Sequence, residues 1–294
     1  MKNTWSFLII CIITFSSCSK APWENYIAPV DPNPPTPGAT NPDDDNEEEE
    51  EKDPNNIRII SIGINNRNAE YDYLTELINS EEADLVVLRE VDKNNTRTGI
   101  DINQAELIAS RVGMQYVFAP QLDNYNQGQF GLAVLSKLPI EESSVMKLPV
   151  DPTEKGDERP LAYLKVNFSR DVQVAFIGVH LDDSSVAKRR AANRLLQSQT
   201  IVNFIEEMDI PVFVAGNFFF QNEGVEMLPS LLTDELTSGC RPCETTVTQH
   251  GGEFIADHIL FKNIDAQQLV DYRLGPSIAS RRPAIAEFKI IKDE

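Results

Sequence analysis

Long runs of Val, Ile, Leu and Phe recur between Ile57 and Lys292, and several of them contain no polar residue. A strand with one face in solvent alternates apolar and polar residues, whereas a strand covered on both faces has a continuous apolar run. The sequence therefore predicts sheets that are covered by other layers on both sides. This region is also long enough to form one large domain with a substantial core.

The predicted strands and helices alternate irregularly, which indicates neither a simple parallel doubly wound sheet nor a barrel. The strands are predicted at Ile57–Ile64, Asp84–Leu88, Tyr116–Ala119, Leu132–Ser136, Leu161–Phe168, Val172–Val179, Val212–Ala215, Phe254–Phe261 and Ala284–Ile291. The helices are predicted at Tyr71–Asn79, at Gln104–Val112 with Gly113 as its stop, and at Ser185–Met208. The helical spacing in the last of these predicts a buried face of Ala187, Ala191, Leu195, Ile201 and Ile205, with Lys188, Arg189, Arg190 and Arg194 on other faces.

The N-terminal residues have the composition of an export signal. Lys2 is followed by an apolar run from Trp5 to Phe15, which is shorter than the roughly 20 residues that span a bilayer. Phe15-Ser16-Ser17-Cys18 resembles a bacterial lipoprotein processing site. A buried helix is the alternative, and the extreme N-terminal position disfavours it. We expect residues 1–18 to be a signal peptide and Cys18 to carry the lipid that binds the bilayer.

The segment after Cys18 differs from the rest of the chain. Residues 19–56 are rich in proline, and Asp43 to Asp53 are nearly all acidic. Such a segment buries too little apolar surface to fold, so we expect an extended linker between the anchor and a domain at residues 57–294. Calcium binding by the acidic run is the alternative. By resemblance to lipoproteins of bacteria with two membranes, Ser19 after the cysteine favours the outer membrane of the cell envelope, with the domain on its periplasmic or surface face.

The formal net charge of the chain is −20. An acidic surface argues against binding of long nucleic acid, which depends on Lys and Arg neutralising phosphates. A small phosphorylated ligand held by a few local arginines remains compatible with this charge.

Two cysteines fall within the predicted domain, as Cys240-Arg-Pro-Cys243. Outside the cytoplasm this spacing favours a disulfide. Free thiols are one alternative, and a metal or redox site is another. Zinc would need two further ligands, and His250 alone does not supply them.

Five short segments that combine apolar and polar residues follow one another along the chain. They are Leu88-Arg89-Glu90-Val91-Asp92, Gly131 to Ile140, Val179-His180-Leu181-Asp182, Ala215-Gly216-Asn217-Phe218 and Ala256-Asp257-His258-Ile259. This ordered set resembles the endonuclease/exonuclease/phosphatase superfamily, whose members cleave phosphate esters with a divalent metal. The resemblance implies a four-layer α/β/β/α sandwich of two mixed β-sheets flanked by helices. It implies Mg or Mn as the cofactor, and the alternative is no cofactor, because residues of the metal site are changed.

Three positions retain residues that the resemblance assigns a role. Glu90 matches the principal metal ligand, His180 the histidine that contacts phosphate, and Asp257 the aspartate that orients the catalytic histidine. The alternatives are an exposed acid at a strand end for Glu90 and a packing or surface residue for His180.

Other positions of that pattern are changed, and they are Gly63, Asn217, Phe219, Ser280 and Arg281. Asn217 stands in place of an aspartate and is a very poor proton acceptor. Arg281 replaces the catalytic histidine and is always protonated, so it cannot act as a base. His258 as a displaced base is disfavoured, because neighbouring side chains of a strand point to opposite faces.

Several arginines match positions around this predicted site. Arg89, Arg159, Arg281 and Arg282 predict a positive cleft that binds an anion, and the alternative is ordinary ion pairing with nearby acids. We also expect Asp257 and Arg281 to form an ion pair in place of the Asp–His pair.

These residues together predict a lipid-anchored, inactive relative of the phosphoesterases that binds a small anionic, possibly phosphorylated, ligand. One alternative is an active Mg- or Mn-dependent phosphodiesterase or phosphatase outside the cytoplasm. The other is a scaffold that tethers envelope proteins through its linker.

Overall fold

Two mixed β-sheets pack face to face at the centre of the domain. The computed structural model describes residues 52–64, 70–218, 230–240, 248–249, 252–253, 257–278 and 281–291. The predicted signal peptide, Cys18 and most of the predicted linker lie outside these residues, so those assignments stay predictions. Among the described helices, none is long and apolar enough to cross a membrane.

The strands follow one another through both sheets. They are β1 (Asn56–Gly63), β2 (Leu85–Asn95), β3 (Gly99–Asn103), β4 (Gln115–Tyr125), β5 (Gly128–Ser136), β6 (Ile140–Leu148), β7 (Arg159–Asn167), β8 (Gln173–His180), β9 (Val212–Asn217), β10 (Thr237–Ser238), β11 (Thr248–Gln249), β12 (Gly252–Glu253), β13 (Asp257–Lys262), β14 (Leu269–Leu274) and β15 (Ala284–Lys289). The seven-stranded sheet has the order β14-β15-β1-β2-β5-β4, with β3 paired to β2. The six-stranded sheet has the order β10-β13-β9-β8-β7-β6, and β11 pairs with β12.

Helices cover the outer face of each sheet. α1 (Tyr71–Ser80) and α2 (Gln104–Val112) pack on the seven-stranded sheet, while α3 (Ala187–Ile205) and α4 (Ser230–Glu235) pack on the six-stranded one. Three buried apolar clusters fill the spaces between the four layers. The predicted four-layer α/β/β/α sandwich is therefore confirmed, and its layers explain the continuous apolar runs.

Every predicted strand corresponds to an observed strand, and all three predicted helices are present. Gly113 ends α2 as predicted, since its φ of 64° lies in the left-handed region that glycine adopts without strain. The polar strands β3, β6 and β14 were not predicted, because they lie at sheet edges and carry no continuous apolar run.

The predicted buried face of α3 is partly wrong. Leu195 is exposed, as are Ala187 and Ala191, whereas Arg190 and Arg194 are buried. The helix turns a polar face inward because those side chains hydrogen-bond to the loop after β8. Ile201 and Ile205 are buried as predicted.

Candidate functional site

The sheet topology brings the polar strand ends to one edge of the domain. β1 and β2 are parallel with Gly63 beside Arg89, and β8 and β9 are parallel with His180 beside Asn217. β13 runs antiparallel to β9, so that its first residue, Asp257, lies beside Asn217. Residues that are far apart in sequence therefore meet where parallel strands end and their antiparallel partners begin.

Glu90 is placed by a β-bulge in the middle of β2, just after the stretch that pairs with β1. On β5, Leu132 pairs with Arg89 and Gly131 with Val91, which leaves Glu90 as the extra residue. Its φ of 60° is in the left-handed region, which is uncommon for a residue with a side chain. Bulges of this kind redirect a side chain and are frequent beside functional sites.

Arg281 binds both carboxylate oxygens of Glu90. The distances are 2.5 Å from Nη1 to Oε1 and 2.9 Å from Nη2 to Oε2. Arg281 precedes β15, which is antiparallel to β1 and begins at the edge where β1 ends. A Cβ at Gly63 would overlap Nη1 of Arg281 and lie 3.0 Å from Nη2 of Arg89. The missing side chain at Gly63 therefore provides the space that the guanidinium of Arg281 fills.

Arg89 and Asp257 form a second ion pair, which joins the two sheets. Nε of Arg89 donates to Oδ1 of Asp257 at 2.8 Å, Nη2 donates to Oδ2, and the Ser61 hydroxyl donates to Oδ1 at 2.7 Å. Arg89 is 1% exposed. Burial opposes the charge on Arg89, but the Asp257 carboxylate outweighs it and raises the pKa of the guanidinium. The predicted pairing of Asp257 with Arg281 is wrong, because Arg89 binds both oxygens of Asp257 and Arg281 binds Glu90.

A third ion pair joins Arg159 to Asp183. Nη2 of Arg159 donates to Oδ1 of Asp183, and Nε2 of the buried His180 lies 3.4 Å from Oδ2. Burial lowers the pKa of His180, although Asp183 acts in the opposite direction. Burial also acts to raise the pKa of Asp183, but His180 and Arg159 outweigh it and hold that pKa well below its usual range. Asp183 is therefore a stable anion at neutral pH.

Each of these arginines is neutralised by its own carboxylate. The charge of Arg281 is offset by Glu90, that of Arg89 by Asp257 and that of Arg159 by Asp183. Arg282 instead donates to the backbone carbonyls of Leu274 and Gly275. Ordinary ion pairing, the alternative to a strongly positive cleft, therefore describes Arg89, Arg159 and Arg281 but not Arg282, and binding of an anion stays a prediction.

The residues at the edge do not fit a divalent metal. Mg²⁺ requires several oxygen ligands in near-octahedral geometry, and both oxygens of Glu90 already accept from Arg281. Gly63 has no side chain to offer, and no group of three His, Cys, Asp or Glu residues in the described ranges has a metal-binding arrangement. A fixed guanidinium beside Glu90 would also repel a cation.

Asp182 is one residue that the sequence interpretation missed. Its carboxylate accepts from Asn193 at 2.9 Å, its backbone N–H donates to Gln197 at 2.9 Å, and its carbonyl accepts from Arg194 at 2.8 Å. These bonds explain the polar inward face of α3. Polar residues spaced three or four apart in this helix were the available signal.

Ser61 and Asp183 were also missed, since the sequence interpretation gave neither of them a role. His258 lies on the opposite face of β13 from Asp257, with its ring 6.1 Å from that of Phe218. Cys240 is buried and disulfide-bonded. Phe219, Cys243 and Ser280 lie outside the described residues, so the pairing of Cys240 with Cys243 stays a prediction.

No family model matches the sequence, and no curated protein does. Solved structures do match its fold. An endonuclease/exonuclease/phosphatase family protein from Leptotrichia buccalis superposes with a TM-score of 0.64 at 13% identity, covering 79% of this chain and 99% of its own. A family member from Bacteroides thetaiotaomicron superposes with a TM-score of 0.57 at 13% identity, and the match covers 79% of this chain and 97% of that one. A 3′ phosphatase from Neisseria bound to a product DNA hairpin superposes with a TM-score of 0.58 at 18% identity, and the match covers 79% of this chain and 99% of that one. The chain therefore has the fold of the endonuclease/exonuclease/phosphatase family.

Proposed function

We propose that this protein is a non-catalytic binding module for a small anion, held at the cell envelope by a lipid on Cys18. The pairing of Arg281 with Glu90 is the observation that carries the proposal. A guanidinium lies against the carboxylate that the resemblance assigns to the metal, so the positive charge there belongs to the protein itself.

The remaining polar residues also favour loss of hydrolysis. Asn217 stands where the resemblance implies an aspartate, and an amide accepts a proton very poorly. Arg281 stands where it implies the histidine, and a guanidinium stays protonated at any ordinary pH. Single losses in such concerted sites commonly cost about a thousandfold, and residues that act as one unit are not lost independently.

Buried N–H groups support an anion as the ligand class. Nη1 of Arg89, Nε of Arg159 and Nε2 of His180 have no hydrogen-bond acceptor in the described part of the chain. His180 and Asp257, the partner of Arg89, both lie beside Asn217, and Arg159 binds Asp183 next to His180, so these groups share one region. Buried donors are usually paired, and an oxyanion offers several acceptors.

The anchor is supported by the sequence alone. Trp5 to Cys18 has the pattern of a lipoprotein signal, and Ser19 favours the outer membrane. Replacing Cys18 with alanine tests this assignment. The wild type is expected in the membrane fraction of the cells and the variant in the soluble fraction, and a variant that stays with the membranes would contradict the lipid anchor.

Hydrolysis assays test the loss of catalysis. The full-length protein in detergent is given a generic phosphodiester and a phosphomonoester, with Mg²⁺ or Mn²⁺ and in parallel with EDTA. We expect no turnover above that of Glu90→Ala, which controls for contaminating enzyme. Metal-dependent turnover that Glu90→Ala abolishes would contradict the proposal and favour an active phosphoesterase instead.

A further inference from the structure

Asp183 places one carboxylate against two residues of the candidate site. Its Oδ1 accepts from Nη2 of Arg159, and its Oδ2 lies 3.4 Å from Nε2 of His180. A carboxylate therefore lies where a ligand oxyanion would meet the same two residues.

Asp183 differs from the other two carboxylates of the site in its exposure. Its side chain is 40% exposed, against 14% for Glu90 and 7% for Asp257. Glu90 and Asp257 belong to strands, whereas Asp183 lies in the loop between β8 and α3. Asp183 is therefore the carboxylate of the three that water reaches most readily.

The backbone around Asp183 is held by neighbouring contacts. Asp182 is bonded to Asn193, Arg194 and Gln197 of α3, and its Oδ1 also accepts from the backbone N–H of Ser184 at 2.7 Å. These bonds restrain the loop on both sides of Asp183. These bonds involve the backbone and Asp182 and leave the Asp183 side chain unrestrained.

Rotation of Asp183 changes the charge of the site. With Asp183 in place, three carboxylates offset Arg89, Arg159 and Arg281. When the Asp183 carboxylate rotates into the water, the charge of Arg159 is no longer offset. Nη2 of Arg159 then becomes available to a ligand, together with Nε of Arg159 and Nε2 of His180, which have no acceptor in the described part of the chain. Guanidinium groups bind phosphate and carboxylate with paired N–H donors.

We propose that Asp183 is an internal competitor for the anion site. Its carboxylate binds Arg159 beside His180 in the free protein, and a small oxyanion takes its place on binding. This inference rests on the proposed anion-binding function and adds that the ligand binds in exchange for Asp183.

The test compares phosphate affinity between matched variants. Inorganic phosphate is titrated by calorimetry into the full-length protein in detergent, as wild type, Asp183→Asn and Asp183→Ala. Removal of the competing charge is expected to tighten binding about tenfold in both variants, which corresponds to about 1.4 kcal/mol. Glu142→Gln is the control, because it changes the net charge equally at an exposed pair with Lys165 and should alter affinity less than about twofold.

The outcomes separate the inference from the function on which it rests. Measurable binding to the wild type that neither Asp183 variant tightens would overturn the internal competitor but leave anion binding intact. Equal tightening by Glu142→Gln would also overturn it, since the effect would then come from net charge. Absence of binding in all of these proteins would overturn the proposed anion-binding function together with the inference.

Discussion

Replacing Arg89 with methionine is expected to lower the free energy of unfolding by about 3–5 kcal/mol, which is a large fraction of the stability of most domains. The side chain is 1% exposed and binds both oxygens of Asp257. Methionine fills similar space without a charge, so the Asp257 carboxylate would stay buried with the Ser61 hydroxyl as its remaining donor. Urea denaturation followed by circular dichroism measures the change.

Arg111→Met is the matched control, because Arg111 also pairs with an aspartate. Its partner, Asp72, is 96% exposed, and such surface pairs contribute little. The double variant Arg89→Met/Asp257→Leu should lose less stability than the two single variants added together, since it leaves no unpaired charge. Equal losses in Arg89→Met and Arg111→Met would contradict the role given to the buried pair.

Replacing Gly63 with alanine is expected to lower the free energy of unfolding by about 1–3 kcal/mol, the usual cost of overpacking. The new Cβ would overlap Nη1 of Arg281, which Glu90 holds in place. A glycine-to-alanine change in a strand is otherwise neutral or favourable. The sign of the change is therefore diagnostic of the guanidinium beside Gly63.

A double-mutant cycle with Arg281→Ala isolates that contact. Once the guanidinium is removed, Gly63→Ala should cost at least about 1 kcal/mol less than in the wild type. Chemical denaturation of the four proteins gives the coupling energy. A coupling energy near zero would show that Arg281 does not fill the space above Gly63.

Much of the fold was predictable because it depends on local pattern. The apolar runs at Ile57–Ile64 and Val172–Val179 are continuous since both sheets are covered, and Gly113 ends α2 because the chain turns left-handed there. The edge strands β3, β6 and β14 lacked that pattern. Their pairing comes from neighbouring strands rather than from their own composition.

The members of the site were easier to predict than their partners. Glu90, His180 and Asn217 follow apolar runs and Asp257 precedes one, and the sheet topology brings these positions together. The pairing of the arginines was not predictable, since Arg89 and Asp257 are separated by 168 positions and both Arg89 and Arg281 carry the same charge. The pairing of Arg281 with Glu90 depends on the bulge at Glu90 and the space at Gly63, which the sequence pattern does not reveal.

Binding of Mn²⁺ is the most direct test of whether Arg281 has replaced the metal at Glu90. Electron paramagnetic resonance of free Mn²⁺ is measured during titration of the full-length wild type and of Glu90→Gln. The acidic run from Asp43 to Asp53 is the same in both proteins, so only the difference between the two titrations reports on Glu90. We predict that the titration curves of the two proteins superimpose up to about 1 mM Mn²⁺. A dissociation constant of about 1 mM corresponds to a binding free energy of about 4 kcal/mol. A saturable Mn²⁺ site in the wild type that Glu90→Gln removes would show that the metal position is intact.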